Sequence, residues 1–365
     1  MAFCLMLFVT LVPMADPQAV AGVQPSDGDL IRLFRDGSSE ERRSIDRSLI
    51  HDHAKPLPDK MQTELFGIFA SRDLPGELRE NAMYVLLETS GAPIKFAEEL
   101  ERIARNRKES AKVRAHALRG IQSNLRGRPD SPRMSELLLE ILQDQAEDLL
   151  LRQTAAVAVV ETAVPADQLL ATLKRIVGSR DETVDCRLEM MQIAMVVVVA
   201  ASKSELCASL ASLHMKLGSD ETESVYVRVG TLKSLADLMI YSRLAAIEFP
   251  DISRKLSREL FNILAHPKKH RRIRDAAGQA LQVCPMVDPT LIDGLNTLLN
   301  SEDRFIHEYA VGTLRGFGAD AKSSVPRLIE IWKDMNESKE TQAAAKDALL
   351  TIDPDRASQL GIREE

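Results

Sequence analysis

With 365 residues, the chain is long enough for two or three ordinary domains. Its residues are 45% hydrophobic but only 4% aromatic. The core must therefore be built from Leu, Ala, Val, Ile and Met, which suits close helix packing and suits a sheet sandwich or ligand cage poorly. A formal charge of −7 argues against a dedicated nucleic-acid binder, whose domains are usually basic.

Residues 2–14 form an apolar run too short to span a bilayer, and Ala19-Val20-Ala21 supplies the small-x-small pattern of a cleavage site. Together they read as a secretory signal over 1–21, although no Lys or Arg precedes the apolar run. The expected location is exported, periplasmic or secreted, if the signal is real, and cytoplasmic otherwise. Residues 22–37 read as a polar leader. No later segment is long enough for a membrane helix; the most apolar stretch, Met190 to Ala201, contains Gln192.

From 38 to 353 the chain alternates two kinds of helix. One kind recurs about every 35–40 residues in a fixed register: an apolar residue, Arg, a small residue three later, an apolar residue seven later. It reads Leu78-Arg79 with Ala82 and Leu86, then Val113-Arg114 with Ala117 and Ile121. Leu151-Arg152, Val227-Arg228 and Ile273-Arg274 repeat it. Cys186-Arg187 is a weaker copy, and Ile306-His307 puts His in the Arg place. These helices are expected to begin near 41, 77, 111, 148, 183, 225, 272, 304 and 339. Partner helices fall between them, near 59–71, 94–107, 133–145, 166–178, 203–217, 250–265, 289–300 and 323–336, with apolar residues at i, i+3 and i+4. Prolines such as Pro75, Pro165, Pro250 and Pro289 sit at the joints. The run Met195 to Val199 has strand propensity but lies in helical register behind Arg187, so it is kept helical. Residues 354–365 read as a C-terminal tail.

Such a period means stacked repeats, each packing only on its neighbours. The Arg residues read as an inter-repeat charge ladder. Acids one turn ahead (Glu77, Asp148, Asp181, and Asp303 before His307) suit a helix start, and the Arg can reach such an acid in its own or an adjacent repeat.

On these residues the chain resembles the HEAT and HEAT-like, phycobilisome-lyase-type, repeat families. The clearest unit runs from Asp303 through Ala310, Leu314 and Gly318 to Val325-Pro326-Arg327-Leu328, with 274–288 and 341–353 matching well. The resemblance implies an all-α fold, a right-handed α-α superhelix of about eight or nine helix pairs.

Candidate chemistry is sparse. His51 and His53 are spaced for a shared metal, but no further ligand is near. His307-Glu308 is similar to the iron-holding pairs of HEAT-like deoxyhypusine hydroxylases, which need one on several repeats; here it occurs once. Gly-x-Ser-x-Gly and phosphate-cradling loops are absent. Cys4 would leave with the signal, so Cys186, Cys207 and Cys284 are expected as free buried thiols; a bridge from Cys186 to Cys207 is conceivable. Two basic stretches stand out: Lys268, Lys269, Arg271 and Arg272, as a partner-binding patch, and 102–133, followed by an acidic tract from Glu136 to Asp148. No aromatics are interleaved for base stacking. The expected function is a non-enzymatic protein-interaction scaffold without cofactor or metal, holding a protein partner on its concave face and no nucleic acid. The alternatives are a HEAT-like enzyme, an enzyme-maturation factor of bilin-lyase type, and a structural paralogue without a ligand.

Overall fold

The computed structural model describes residues 27–37, 57–89, 94–125, 132–284, 289–301 and 303–363. The expected signal, the first Arg-led helix near 41 and the pair His51 and His53 lie outside these residues. The described residues are helical, with no strand among them. Contacts divide the chain into two compact units at Pro165.

In the first unit, α1 (Asp27–Asp36) packs on α2 (Asp59–Ala70). Residues 27–36 were expected in a polar leader; they form a helix because Ile31 and Phe34 give it an apolar stripe, and both are buried. Three helix pairs follow: α2 with α3 (Gly76–Thr89), α4 (Ala97–Arg105) with α5 (Ala111–Leu125), and α6 (Pro132–Gln143) with α7 (Leu149–Val159). The Arg-led members α3, α5 and α7 also pack directly on one another in sequence.

The second unit pairs α8 (Ala166–Gly178) with α9 (Val184–Ala201), α10 (Ser204–Ser219) with α11 (Val225–Leu244), and α12 (Pro250–Ala265) with α13 (Arg271–Val283). It continues with α14 (Pro289–Leu298) and α15 (Arg304–Phe317), then α16 (Val325–Lys333) and α17 (Lys339–Ile352). Again the Arg-led helices α9, α11, α13, α15 and α17 pack in a continuous row. The run around Val197 is helical, as its register requires: Met191, Ala194, Met195, Val197 and Val198 are buried, so packing overrides strand propensity. The longer spacings after Arg187 and Arg228 are extra turns, 18 residues in α9 and 20 in α11. The expected C-terminal tail adds a short helix, α18 (Pro354–Gln359), which folds back on α17 and buries Ala357 and Ile362.

The Arg-led helices start where their caps dictate. Asp148, Thr183, Ser224, His270, Asp303 and Ser338 each accept a hydrogen bond from a backbone N–H of the first turn, and each stands at the same place in the repeat. Gly318 ends α15 at φ 55, a left-handed turn that only glycine adopts without strain.

Candidate functional site

The repeated Arg does two jobs at once. Its Nε donates to a carbonyl ten residues earlier, in the last turn of the partner helix. The bonds are Arg79 to Phe69 (2.8 Å), Arg114 to Ala104 (2.7 Å), Arg152 to Leu142 (3.0 Å), Arg187 to Val177 (2.7 Å), Arg228 to Gly218 (3.1 Å) and Arg274 to Leu264 (2.9 Å). Each bond satisfies a carbonyl that the helix leaves orphaned at its C-terminus. It also fixes the angle between the two helices of a pair.

The other guanidinium nitrogens reach the next repeat. Arg79 Nη1 lies 2.7 Å from Glu109, Arg114 Nη1 and Nη2 lie 2.6 and 2.8 Å from Glu147, and Arg187 Nη2 and Nη1 lie 2.7 and 3.0 Å from Glu223. Arg274 pairs with Asp303 at 3.1 Å, and His307 Nδ1 lies 3.3 Å from Glu337. Paired charges of this kind tolerate burial that an isolated charge does not. The Arg187 hydrogen bond holds the Glu223 carboxyl below the usual carboxylate range, and Arg79 does the same for Glu109.

The expected ladder is present between repeats, on other acids than Glu77, Asp148 and Asp181. Glu77 lies in the first turn of its own helix, Asp148 serves as a cap and Asp181 stands in the turn before α9. The rungs at Arg79, Arg114 and Arg187 are completed by an acid five residues before the next register position, in the turn that leads into the next Arg-led helix; at His307 the equivalent acid, Glu337, stands 3.3 Å away without a hydrogen bond. Of the expected acids, Asp303 pairs with a ladder Arg, and its partner is Arg274 of the preceding repeat.

A second Arg reinforces three rungs. Arg72, Arg107 and Arg180, each seven residues before a ladder Arg, lie 3.3, 3.5 and 3.7 Å from Glu109, Glu147 and Glu223. The acidic tract after the basic stretch is used in the same way. Arg105 lies 2.9 Å from Glu140, Arg107 bonds Asp144, and Arg133 lies 3.0 Å from Glu101. The basic segment 102–133 is thus largely paired with its neighbours.

The quartet of the second basic stretch is split by the fold. Lys269 is half-buried and pairs with Glu221 at 2.8 Å. Arg271 lies over the Phe305 ring at 5.2 Å. Lys268 and Arg272 are exposed.

Other features are structural. Cys186, Cys207 and Cys284 are buried and form no disulfide among the described residues. His214 is fully buried with neither ring nitrogen bonded, and burial pushes its pKa down to about 3. Tyr309 packs on Gly278 and bonds Asp275; burial pushes its phenol up to about 12. Among the described residues no group of three or more His, Cys, Asp or Glu could hold a metal, and no helix is long and apolar enough to cross a membrane. The overshoot of α11 leaves Leu244 78% exposed beside a cleft of about 340 Å³, whose walls include Met239, Ile247 and Phe249.

No protein-family model and no curated protein matches the chain. Solved structures do. A mutant of Kap121p matches with a TM-score of 0.58 at 12% identity, over 88% of this chain and 36% of that one. The Kap95:Nup1 complex matches with a TM-score of 0.55 at 10% identity, over 93% and 47%. Importin-β matches with a TM-score of 0.51 at 13% identity, over 90% and 50%. The chain therefore spans half or less of the length of these structures. At this identity the likeness is one of fold: the chain is a HEAT-repeat α-solenoid, as these karyopherins are.

Proposed function

We propose that the chain is a non-enzymatic scaffold that binds a protein partner along the row of Arg-led helices. The observation that carries this reading is the ladder itself. The charges of Arg79, Arg114, Arg187 and Arg274 are spent on the backbone and on the next repeat, so they hold the surface in place rather than converge on a reactive site. Solenoids of stacked repeats present extended surfaces of this kind to partners. Among the structural neighbours, Kap121p bound to Nup53p and Kap95 with Nup1 carry protein partners on the same fold.

The test is site-specific photo-crosslinking in the full chain. A photoreactive residue replacing exposed Lys233 on α11 is expected to give discrete protein adducts, and one replacing exposed Lys255 on the partner helix α12 to give none. Absence of adducts from Lys233, or equal labelling from both, would overturn the assignment of that face. We further propose that the chain is exported, on the apolar run 2–14 and Ala19-Val20-Ala21. N-terminal sequencing of the protein from a native-like host should show loss of 1–21; Met1 retained in the cytosol would contradict it.

A further inference from the structure

One rung breaks the pattern. Five residues before the next register position the regular rungs carry Glu109, Glu147, Glu223 and Glu337; the rung of Arg228 carries Lys269 there. Seven residues before the ladder Arg, where Arg72, Arg107 and Arg180 stand, this repeat carries Glu221. The two positions have exchanged charge, and they satisfy each other at 2.8 Å. Arg228 is left over. Its Nε donates to Gly218, its Nη2 is buried without a partner, as is that of Arg79, and no carboxylate among the described residues lies within ion-pair range. The residue is only 8% exposed, and the one carboxylate that feels its charge, Glu221, is exposed and already paired with Lys269. A buried guanidinium whose counter-charge is shared with another cation is costly to the fold.

The surface over this rung is cationic as well. Lys268, Arg271 and Arg272 are exposed, and α13 begins with these two Arg and no acid in its first turn, where the helix macrodipole favours negative charge. Tyr226, Arg272 and Phe305 each stand two residues before the ladder residue of successive packed helices. An aromatic, a cation and an aromatic therefore hold equivalent places on successive helices, with Tyr226 69% exposed.

We propose that this edge docks an acidic segment of a protein partner, whose carboxylates pair with Lys268, Arg271 and Arg272 and supply the negative charge that the Arg228 rung lacks. The inference rests on the scaffold reading and names the chemistry of the partner. A nucleic acid fits less well: the chain carries a charge of −7, and of the two aromatics in the row Phe305 is already covered by Arg271.

The experiment measures binding of a fluorescein-labelled oligo-glutamate peptide to the full chain by anisotropy, with three variants. Binding to the wild type should weaken as salt rises. Glu221→Arg with Lys269→Glu rebuilds the regular rung inside the chain; it should unfold at a higher temperature than wild type and bind the peptide much more weakly. Loss of binding in a stabilised variant cannot be misfolding. Lys268→Glu with Arg272→Glu turns two attractions into repulsions, which at about two-fold for each of four terms weakens binding roughly fifteen-fold. Lys60→Glu, far from the edge in sequence and exposed, should bind as wild type. The proposal is overturned if the rebuilt rung binds the peptide unchanged, if it melts lower than wild type, or if labelled oligouridylate binds the wild type more tightly than the peptide. Failure of the peptide removes this edge and this partner class; the scaffold reading falls only with the crosslinking result.

Discussion

Replacing Arg187 by Met removes one rung from the second unit and measures what a rung is worth. The guanidinium makes two charge-assisted bonds to Glu223, at 2.7 and 3.0 Å, and one to the Val177 carbonyl at 2.7 Å. Both side chains are buried, 4% and 5% exposed. Met keeps the apolar stem but leaves Glu223 facing only Arg180, 3.7 Å away and itself exposed. Breaking a buried pair on one side costs about 3–5 kcal/mol, because the other charge stays behind. Arg187→Met should therefore lose about 3–4 kcal/mol, a little under the top of that range because Arg180 compensates in part. Glu223→Gln should lose less, since one acceptor remains. The double variant Arg187→Met with Glu223→Met should recover most of the loss, as apolar replacement of a whole buried pair is nearly neutral. The coupling energy is then at least about 2 kcal/mol in magnitude. The assay is urea unfolding followed by circular dichroism, with hydrogen exchange on α8 and α9 to locate the opening, because repeat arrays depart from two-state behaviour. A loss below about 1 kcal/mol for Arg187→Met, or a coupling energy near zero, would refute the reasoning.

Two further outcomes follow from single side chains. A methyl group at Gly278 would stand 2.5 Å from the Tyr309 ring, which Asp275 holds in place, so Gly278→Ala should lower the stability by about 1–3 kcal/mol. At Gly67, also inside a helix, nothing lies within 4 Å, and Gly67→Ala should raise stability by about 0.5–1 kcal/mol; calorimetry of the two variants tests the pair, and equal effects would contradict the packing. His214 is held neutral, with a pKa near 3 against an ordinary 6.5. The unfolded chain binds the proton first, so the contribution is complete above pH 6.5 and drains as pH falls toward 3. At about 1.4 kcal/mol per pH unit, roughly 2 kcal/mol is lost by pH 5. His214→Met should flatten the stability profile between pH 7 and 5 by that amount, and an unchanged slope would show that His214 does not titrate as described.

The architecture was legible because it rests on a register. Arg114, Arg152 and Arg187 mark equivalent places, and Ser110, Asp148 and Thr183 four residues earlier mark the helix start, so both the pairing of helices and their approximate bounds are legible. The wiring of the rung was not. Arg187 bonds Val177 across a turn, and no local spacing rule links residues ten apart when one helix ends between them. Glu77, Asp148 and Asp181 stand just ahead of an Arg in their own repeat, whereas the partners stand five residues before the following register position. In sequence that column reads Glu109, Glu147, Glu182, Glu223, Lys269, Glu302 and Glu337, with Lys269 the exception. Composition could not divide the basic quartet either: Lys269 and Lys268 are adjacent in sequence, and only packing shows that Glu221 takes one of them. The helices at 27–36 and 354–359 are not legible in the sequence because their buried apolar residues, Ile31 and Phe34 in one and Ala357 in the other, are too few to make a period visible.

Native-state hydrogen exchange on the full chain tests the central claim most directly, that Arg rungs lock each repeat to the next and that the rung at Arg228 is incomplete. Slow exchange is expected in the turns closed by Arg79–Glu109, Arg114–Glu147 and Arg187–Glu223, and markedly faster exchange in the turn from His266 to His270. Equal protection of all four turns, or greatest protection at His266 to His270, would contradict it.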